Sequence, residues 1–283
     1  MRVLILGGDG MLGHRLHREL AGRHEVGVTV RRPGLAASPP VEAFPDVDVR
    51  DFGRVEEAVA TFRPRAIVNA VGVVKQRPEA EDPLPALEIN SVFPHRLAAL
   101  CLEKGIRLVH FSTDCVFSGA RGSYRESDPP DPGDLYGRTK LLGELGAPHL
   151  TLRTSMIGLE RGRRQGLVEW FLASRGTVRG YRRAIFSGLT TAELARLVDR
   201  LLVEHPGLAG LWHVASDPID KHSLLSRLAL ALGRSDVRIE PRDEPVIDRS
   251  LCADALAGAT GYRPPAWDKM IEELARTILE RRE

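Results

Sequence analysis

The sequence predicts an α/β fold that is built on a doubly wound parallel sheet. Three observations support this prediction. Short apolar runs typical of buried strands alternate with amphipathic helical stretches through the first half of the chain. A glycine-rich turn follows the first apolar run, and the alternation becomes looser after Thr154. Alternating strands and helices connect parallel strands through right-handed crossovers, so we expect one parallel sheet.

The elements of the first half follow from local periodicity. In the first predicted helix, Leu12, Leu16 and Leu20 recur every four residues and form one apolar stripe. The predicted helices span residues 11–21, 54–62, 86–103 and 135–145. The predicted strands span residues 3–6, 26–30, 66–70, 108–111 and 150–152, and one more strand is expected to end near Asp48.

The second half of the chain has a different pattern of predicted elements. Short helical stretches are separated there by loops rich in proline, glycine and arginine. One further strand, near residues 211–214, is expected to return to the sheet. We therefore predict a Rossmann-type NADP-binding domain at residues 1–155 and a smaller C-terminal cap at residues 156–283 that mostly binds substrate.

Composition excludes several classes of protein. Apolar residues make up 43% of the chain, charged residues 28%, and the net charge is +2, so no basic field favours nucleic acid. No apolar stretch reaches the length of a membrane span. Three scattered cysteines and the absence of a secretion signal predict a cytoplasmic protein. The nine histidines show no metal-ligand spacing, so no metal site is expected.

The glycine-rich turn predicts dinucleotide binding. Gly7, Gly10 and Gly13 follow the first strand, and Met11 and Leu12 begin the helix. Such a turn lets the backbone approach a pyrophosphate, and the N-terminus of the helix offers free N–H groups and the positive end of its dipole. The alternative is a tight glycine turn without a ligand, but the strand before it and the helix after it favour a cofactor.

The residues after the second strand favour NADPH, although NADH remains possible. An acidic residue there would hold the ribose 2′-hydroxyl of NAD, whereas Arg31 and Arg32 suit the 2′-phosphate of NADP. The alternative is two solvated arginines in an arginine-rich chain. Asp48 and the backbone of Val49 are expected to reach the adenine.

The catalytic prediction depends on a Tyr–Lys pair. Tyr136 and Lys140 lie one helical turn apart, downstream of Ser112 and Thr113 at the predicted carboxyl end of a strand. A neighbouring ammonium is expected to lower the pKa of the tyrosine, to make it a better acid–base catalyst and to hold the nicotinamide ribose. Thr113 is expected to polarise a substrate carbonyl. The alternative is an ordinary surface pair on a helix.

These motifs together resemble the extended short-chain dehydrogenase/reductases, and most closely the group similar to dTDP-4-dehydrorhamnose reductase. The matching segments are Gly7–Gly13, Asn69-Ala70, Ser112–Gly119, Tyr136–Lys140 and Leu152–Ser155. The resemblance implies a nicotinamide cofactor held partly by Asn69 and Ala70, and reduction of a 4-keto nucleotide sugar. It also implies catalytic roles for Thr113, Tyr136 and Lys140. We expect a monomer or a homodimer.

The chain departs from that group in ways that leave the sugar open. Cys115 stands where the rhamnose enzymes typically have an aromatic residue. The segments 70–76, 166–172 and 187–191 look more like relatives that act on UDP-linked 2-acetamido-6-deoxy-4-ketohexoses. Both dTDP-4-dehydrorhamnose and a UDP-2-acetamido-2,6-dideoxy-4-hexulose therefore remain candidate substrates.

Several basic residues are candidate substrate contacts. Lys75 could touch a phosphate, Arg153 could clamp the sugar diphosphate, and Arg249 follows an acidic loop in the second half. Each has a structural alternative: a solvated lysine for Lys75, a structural pair with a carboxylate for Arg153, and a surface charge for Arg249. The basic patch Arg161–Arg164 is more typical of a solvated face.

Two other functions share this fold. An epimerase would use the same cofactor without net consumption, and a non-catalytic NADP-binding regulatory subunit would need no chemistry at all. The Tyr136–Lys140 pair argues against the regulatory subunit, because a sensor does not require such a pair.

Overall fold

A seven-stranded parallel sheet forms the centre of the molecule. The computed structural model describes residues 1–31, 42–73, 82–161 and 165–281. The strand order is β11-β6-β5-β4-β1-β2-β3. The chain adds strands first on one side of β1 and then on the other, as in a Rossmann fold, so the predicted fold class is confirmed. The strands are β1 (Arg2–Leu6), β2 (Glu25–Thr29), β3 (Glu42–Phe44), β4 (Ala66–Asn69), β5 (Arg107–Thr113), β6 (Leu150–Thr154) and β11 (Gly210–His213).

Helices cover both faces of this sheet. Alternate residues of β1 show the two layers: Val3 and Ile5 belong to one apolar core, and Leu4 and Leu6 belong to the other. All four side chains are fully buried, as expected for a strand covered on both sides. The helices are α1 (Met11–Leu20), α2 (Phe52–Phe62), α3 (Pro83–Leu87), α4 (Phe93–Glu103), α5 (Leu135–Leu142), α6 (Leu167–Ala173), α7 (Thr191–Glu204), α8 (Lys221–Ala231), α9 (Asp254–Thr260) and α10 (Trp267–Glu280).

The predicted helix at residues 86–103 begins earlier than expected and is not uniform. Asp82 caps α3 by accepting a hydrogen bond from Leu84 N at 3.1 Å. A π-helical turn at Glu88–Val92 then joins α3 to α4. In that turn the Asn90 side chain accepts from Val73 N at 2.9 Å and donates to Val73 O at 3.1 Å. The turn therefore fixes the loop that follows β4.

Part of the second half returns to the first. β11 pairs with β6 in the central sheet, at the place of the predicted strand near residues 211–214. Helix α7 packs against α1, so it covers the sheet and does not belong to a cap. The remaining small strands are β7 (Met156–Ile157), β8 (Gly176–Tyr181), β9 (Ala184–Phe186), β10 (Leu189–Thr190), β12 (Ile219–Asp220), β13 (Val237–Arg242) and β14 (Ile247–Asp248).

A small sheet of the second half lies against the loop that follows β5. β12 and β14 both pair with β9, which gives the order β12-β9-β14. The loop beyond β14 contacts residues 117–119: Asp248 N donates to Gly119 O at 2.7 Å, and Arg249 Nε donates to Phe117 O at 2.8 Å. This contact brings the second half to the carboxyl edge of the central sheet. Within the described ranges, no helix has both the length and the apolar character needed to span a membrane.

Candidate active site

The glycine-rich turn has the geometry that the sequence predicted. Gly7 adopts a left-handed conformation with φ +84°, which glycine accepts without strain. A Cβ on Gly13 would lie 2.0 Å from Gly7 O, so only glycine allows α1 to approach β1 this closely. Gly10 precedes α1, and no side chain caps the helix. The first N–H groups of α1 are therefore available to an anion.

A cavity extends from this turn toward β2 and the loop after β3. Its wall includes Gly7, Gly10, Arg31, Val49 and Ala70. Arg31 is exposed at the rim, whereas Arg32 lies outside the described residues. The predicted turn and the predicted Arg31 and Val49 positions thus share one cavity.

Asp48 also lines this cavity, but its carboxylate has a protein partner. It accepts from Arg50 Nε at 3.0 Å and from Arg50 Nη2 at 2.7 Å. This hydrogen bonding is the main cause that lowers the pKa of Asp48, and the charge of Arg31 adds to it. Asp48 is therefore ionised at neutral pH and oriented by Arg50.

Asn69 does not present its side chain to the cavity. It is 1% exposed, its Oδ1 accepts from Val71 N at 3.1 Å, and its Nδ2 lies 3.1 Å from His110 Nδ1. Its neighbour Ala70 lines the cavity instead. The predicted cofactor contact by Asn69 is therefore corrected to a supporting role, in which its amide shapes the loop after β4.

Thr113 and Tyr136 meet at the carboxyl end of β5. Thr113 Oγ1 accepts from Cys115 N at 3.1 Å, donates to Asp114 Oδ1 at 3.2 Å and is hydrogen-bonded to the Tyr136 hydroxyl. Helix α5 comes close here because position 137 is glycine: a Cβ on Gly137 would lie 2.2 Å from Cys115 O. The structure therefore brings together two of the three residues that the sequence predicted to be catalytic.

The protonation of Tyr136 differs from the sequence prediction. Burial raises the pKa of the phenol above its ordinary value, and the hydrogen bond from Thr113 only partly opposes this. The expected lowering of the tyrosine pKa by Lys140 is not observed, because the ammonium is directed to a backbone carbonyl. Tyr136 is consequently protonated at neutral pH, which is the state that a proton donor needs.

Lys140 is a buried ammonium, 5% exposed. Its Nζ donates to Phe111 O, on β5, at 2.5 Å. Burial lowers the pKa of Lys140 to about 8, and the nearby charge of Glu144 opposes that effect. Lys140 therefore carries its charge at pH 7 and loses it not far above.

Arg153 forms a buried pair with Glu144 instead of facing the cleft. Its Nε and Nη2 donate to the two carboxylate oxygens, each at 2.7 Å, and Ser112 Oγ donates to the same carboxylate at 2.5 Å. The arginine is 4% exposed. Of the two roles that the sequence left open for Arg153, the structure shows the ion pair, so the predicted diphosphate clamp is corrected.

Two cations of the second half act electrostatically on Asp114, in the loop that follows β5. Arg249 is half-buried, and Lys221 begins α8 with its Nζ 3.6 Å from the centre of the Phe186 ring. The charges of both act on Asp114, whose pKa is raised by burial. Arg249 thus lies beside the loop that follows β5, and its contact with substrate stays a prediction. Lys221 was missed, because a lone lysine at a helix start carries no signal in sequence.

Other predicted positions lie elsewhere. Arg161 lines a separate cavity of about 610 Å³ with His14, His17 and Arg281. Lys75 and residues 162–164 lie outside the described ranges. Burial raises the pKa of Cys115 to about 12, so this thiol is not a reactive thiolate. The described residues contain no group of three or more His, Cys, Asp or Glu side chains arranged to hold a metal ion.

Comparison with known proteins places the chain in a family. Residues 1–177 match the model described as RmlD substrate binding domain. The chain belongs to this family. It is 30% identical over 229 residues to a probable low-salt glycan biosynthesis reductase of Haloferax volcanii, a match that covers 76% of this chain and 75% of the relative.

Two further likenesses bear on function and fold. The chain is 35% identical over 147 residues to methionine adenosyltransferase 2 subunit beta of Pongo abelii, which covers 50% of this chain and only 41% of that protein. The chain thus spans less than half the length of this relative. The solved structure of dTDP-4-dehydrorhamnose reductase from Bacillus anthracis in complex with NADP shares the fold, with a TM-score of 0.81, 22% identity and 99% coverage of both chains.

We predict that Arg153→Met destabilises the protein strongly. The substitution leaves the Glu144 carboxylate buried without its partner, which typically costs about 3–5 kcal/mol. The free energy of unfolding, measured by urea titration, is expected to fall by about that amount. The double variant Arg153→Met/Glu144→Leu should lose less than the single one.

The matched control is Arg54→Met, which removes an arginine from an exposed pair with Glu57 at 3.1 Å. Its stability should stay close to that of the wild type, since exposed ion pairs contribute little. Equal losses in Arg153→Met and Arg54→Met would contradict the buried-pair assignment.

Proposed function

We propose that this protein is an NADPH-dependent reductase that converts the C4 ketone of a nucleotide-activated 4-keto-6-deoxyhexose to an alcohol. One observation carries the proposal: Thr113, Tyr136 and the Lys140 ammonium lie together along the end of β5, at the sheet edge where β1 runs into the glycine-rich turn. In open α/β sheets this carboxyl edge binds ligands.

The residues around the turn fit a dinucleotide phosphate. The close contact of Gly13 with Gly7 leaves no room for a side chain, and α1 begins with neither a side-chain cap nor an acidic residue in its first turn. A pyrophosphate would accept hydrogen bonds from the free N–H groups at the start of α1, and the exposed Arg31 at the rim suits the ribose 2′-phosphate of NADPH. Lys140 would hold the nicotinamide ribose.

Side chains of the protein supply the proton that the carbonyl oxygen gains and stabilise the negative charge that remains on Tyr136. NADPH would supply a hydride to the ketone carbon. Tyr136, protonated because it is buried, donates its proton to the carbonyl oxygen, so that the carbon–oxygen double bond becomes a secondary alcohol. Thr113 orients that oxygen, its hydrogen bond to Tyr136 stabilises the phenolate until solvent restores the proton, and the Lys140 ammonium would hold the ribose of NADPH.

The nature of the substrate is supported by relatives. One relative is named a glycan biosynthesis reductase, and a structural neighbour is named a dTDP-4-dehydrorhamnose reductase. A 4-keto-6-deoxyhexose on dTDP or UDP, with or without a 2-acetamido group, agrees with both names. Unpaired Cys101, Cys115 and Cys252 suit a reducing compartment, and we propose a cytoplasmic enzyme that acts as a monomer or a homodimer.

A second candidate function is a non-catalytic regulatory subunit. It is favoured by the 35% identity to a subunit of methionine adenosyltransferase. The hydrogen bond between Thr113 and Tyr136, with the buried Lys140 ammonium on the same strand end, supports the enzyme instead. An epimerase of the same fold would leave NADPH unconsumed, and so would a regulatory subunit. A fall in NADPH absorbance during substrate turnover therefore separates the reductase from both.

We predict that Tyr136→Phe reduces kcat at least a hundredfold. The variant keeps the ring but removes the proton donor, and general acid catalysis typically contributes about 10²–10⁴-fold. NADPH oxidation with dTDP- and UDP-linked 4-keto-6-deoxyhexoses is the measurement, with NADPH affinity as the check on folding. Unchanged turnover would refute the role of Tyr136.

We predict that kcat at saturating substrate falls as the pH rises through about 8. Burial favours the neutral amine of Lys140, whose pKa is about 8, so the ammonium that would hold the nicotinamide ribose in position for hydride transfer is lost above that value. His110 does not interfere, because burial keeps the pKa of its ring well below the ordinary 6.5.

Lys221 has a similarly lowered pKa of about 8. The pH profile is therefore also measured in Lys221→Met, where the fall in kcat should persist. A profile that becomes flat in this variant would assign the fall to Lys221 and not to Lys140.

We predict that Arg31→Ala weakens NADPH binding about tenfold or more and changes NADH binding much less. The arginine at the rim of the cavity is expected to contact the 2′-phosphate that only NADPH carries. Dissociation constants from fluorescence titration test this. Arg227→Ala, which removes a surface partner of Asp268, is the control. Equal weakening of both cofactors by Arg31→Ala would contradict the assignment.

A further inference from the structure

A second cavity lies between α1, the start of α7 and the end of α10. Its volume is about 610 Å³, which is within the range of small-molecule sites, and the loop residues 159–161 complete its wall. Among the residues that the structure describes, none lines both this cavity and the one beside the glycine-rich turn. The proposed cofactor site therefore does not account for this second cavity.

One polar face of α1 forms part of the wall. The leucine stripe of this helix packs into the core, whereas His14, His17 and Arg18 line the cavity. Spacings of three and four residues place these three side chains on the same face of the helix. Two imidazoles and one guanidinium therefore border the same space.

His17 is the buried member of this face. It is only 5% exposed, and within the described part of the chain its ring forms no hydrogen bond. The ring of His14, in contrast, has a partner, because its Nδ1 lies 3.1 Å from Gly10 O. Buried polar side chains nearly always have a hydrogen-bond partner. The ring of His17 thus favours a polar group inside the cavity.

Positive charge predominates in the wall. Four arginines and two glutamates line the cavity: Arg15, Arg18, Arg161, Arg281, Glu160 and Glu280. Arg15 and Arg281 form ion pairs with glutamates that do not line it. The Glu160 carboxylate accepts from the backbone N–H groups of Gln165 at 2.7 Å and Gly166 at 3.1 Å. Within residues 1–31, 42–73, 82–161 and 165–281, neither Arg18 nor Arg161 has an ion pair, so their donors are left for a ligand.

The electrostatic environment of the two imidazoles agrees with this arrangement. Burial lowers the pKa of His14 and of His17, and the positive charges of Arg161 and Arg18 lower both further. Each neutral ring still carries one N–H donor. Thr191 and Ala192, in the first turn of the fourteen-residue helix α7, also line the cavity and bring the positive end of its dipole there.

We propose that this cavity is a second ligand site, which binds an organic phosphate with its phosphate group against His17, Arg18 and Arg161. Guanidinium groups match phosphate oxygens in geometry and charge, and the His17 ring would donate a further hydrogen bond. Leu159 and Leu274 supply apolar wall for the rest of the molecule. A cavity of this volume has room for more than an inorganic anion. The proposal does not depend on the reductase reaction.

The experiment measures the binding of two phosphate esters of different size, phenyl phosphate and dTMP, to the NADPH-saturated protein by isothermal titration calorimetry. Phenol and inorganic phosphate serve as probes that carry only the apolar part or only the anion. We expect at least one ester to bind about tenfold or more tightly than either of these probes. Histidine-selective NMR spectra, assigned with His17→Gln, should show the ring signals of His17 moving as that ester is added.

The location is tested with Arg18→Glu, which places a carboxylate where the phosphate would lie. It should weaken the binding of that ester about tenfold or more. The control Arg238→Glu reverses an exposed arginine of β13 and should leave the binding nearly unchanged. Melting temperatures check that the variants fold, and if Arg18→Glu does not, Arg18→Gln decides by the same criterion.

Three results would overturn the proposal. The first is that neither ester binds. The second is that inorganic phosphate binds as tightly as the esters, which would indicate an anion site only. The third is equal affinity in the wild type and Arg18→Glu, or an equal loss in Arg18→Glu and Arg238→Glu, which would place the ester elsewhere or reduce its binding to the overall charge of the protein. None of these results bears on the proposed reductase activity.

Discussion

The need to keep one ammonium charged inside the protein governs much of this structure. Lys140 is buried one helical turn after Tyr136, where removal from water favours the neutral amine. Phe111 O accepts a hydrogen bond from the ammonium, and Glu144 supplies a negative charge nearby. Glu144 is itself buried and would be unfavourable alone, so Arg153 pairs with it through two hydrogen bonds. The stability of the core and the charge of the active site therefore depend on the same side chains.

This network requires helix α5 to lie unusually close to its neighbours. Two glycines permit it, one at each end of the helix. A Cβ on Gly137 would lie 2.2 Å from Cys115 O, and a Cβ on Gly143 would lie 1.9 Å from Asn90 O. Asn90 belongs to the π-helical turn, so the second contact joins α5 to that turn. In the same turn, Ser91 Oγ donates to Thr139 O at 2.7 Å. Small residues thus set the distance between Tyr136 and β5.

The sequence predicted the parts of this site that depend on local spacing. The apolar periodicity predicts the strands and helices of the first half. The glycines of the turn and the spacing of Tyr136 and Lys140 involve only residues that are close together in the sequence. The pair of Arg153 with Glu144 joins a strand to the end of a helix and was only one of two alternatives. The electrostatic effect of Lys221 on Asp114 was not predicted, because it arises when the small sheet β12-β9-β14 lies against the loop that follows β5. The raised pKa of Tyr136 depends on burial, which no spacing shows.

The two halves of the molecule are under different physical constraints. In the proposed reaction a proton donor must lie within hydrogen-bond reach of the reacting oxygen, which would fix Thr113, Tyr136 and Lys140 relative to the sheet. The family match at residues 1–177 includes all three residues and ends before Lys221 and Arg249. In the proposed function the second half would only have to present side chains to the substituents of a substrate, so its short strands could differ between relatives without disturbing the chemistry. Substrate selectivity is therefore expected to depend more on the second half than on the strand ends of the first.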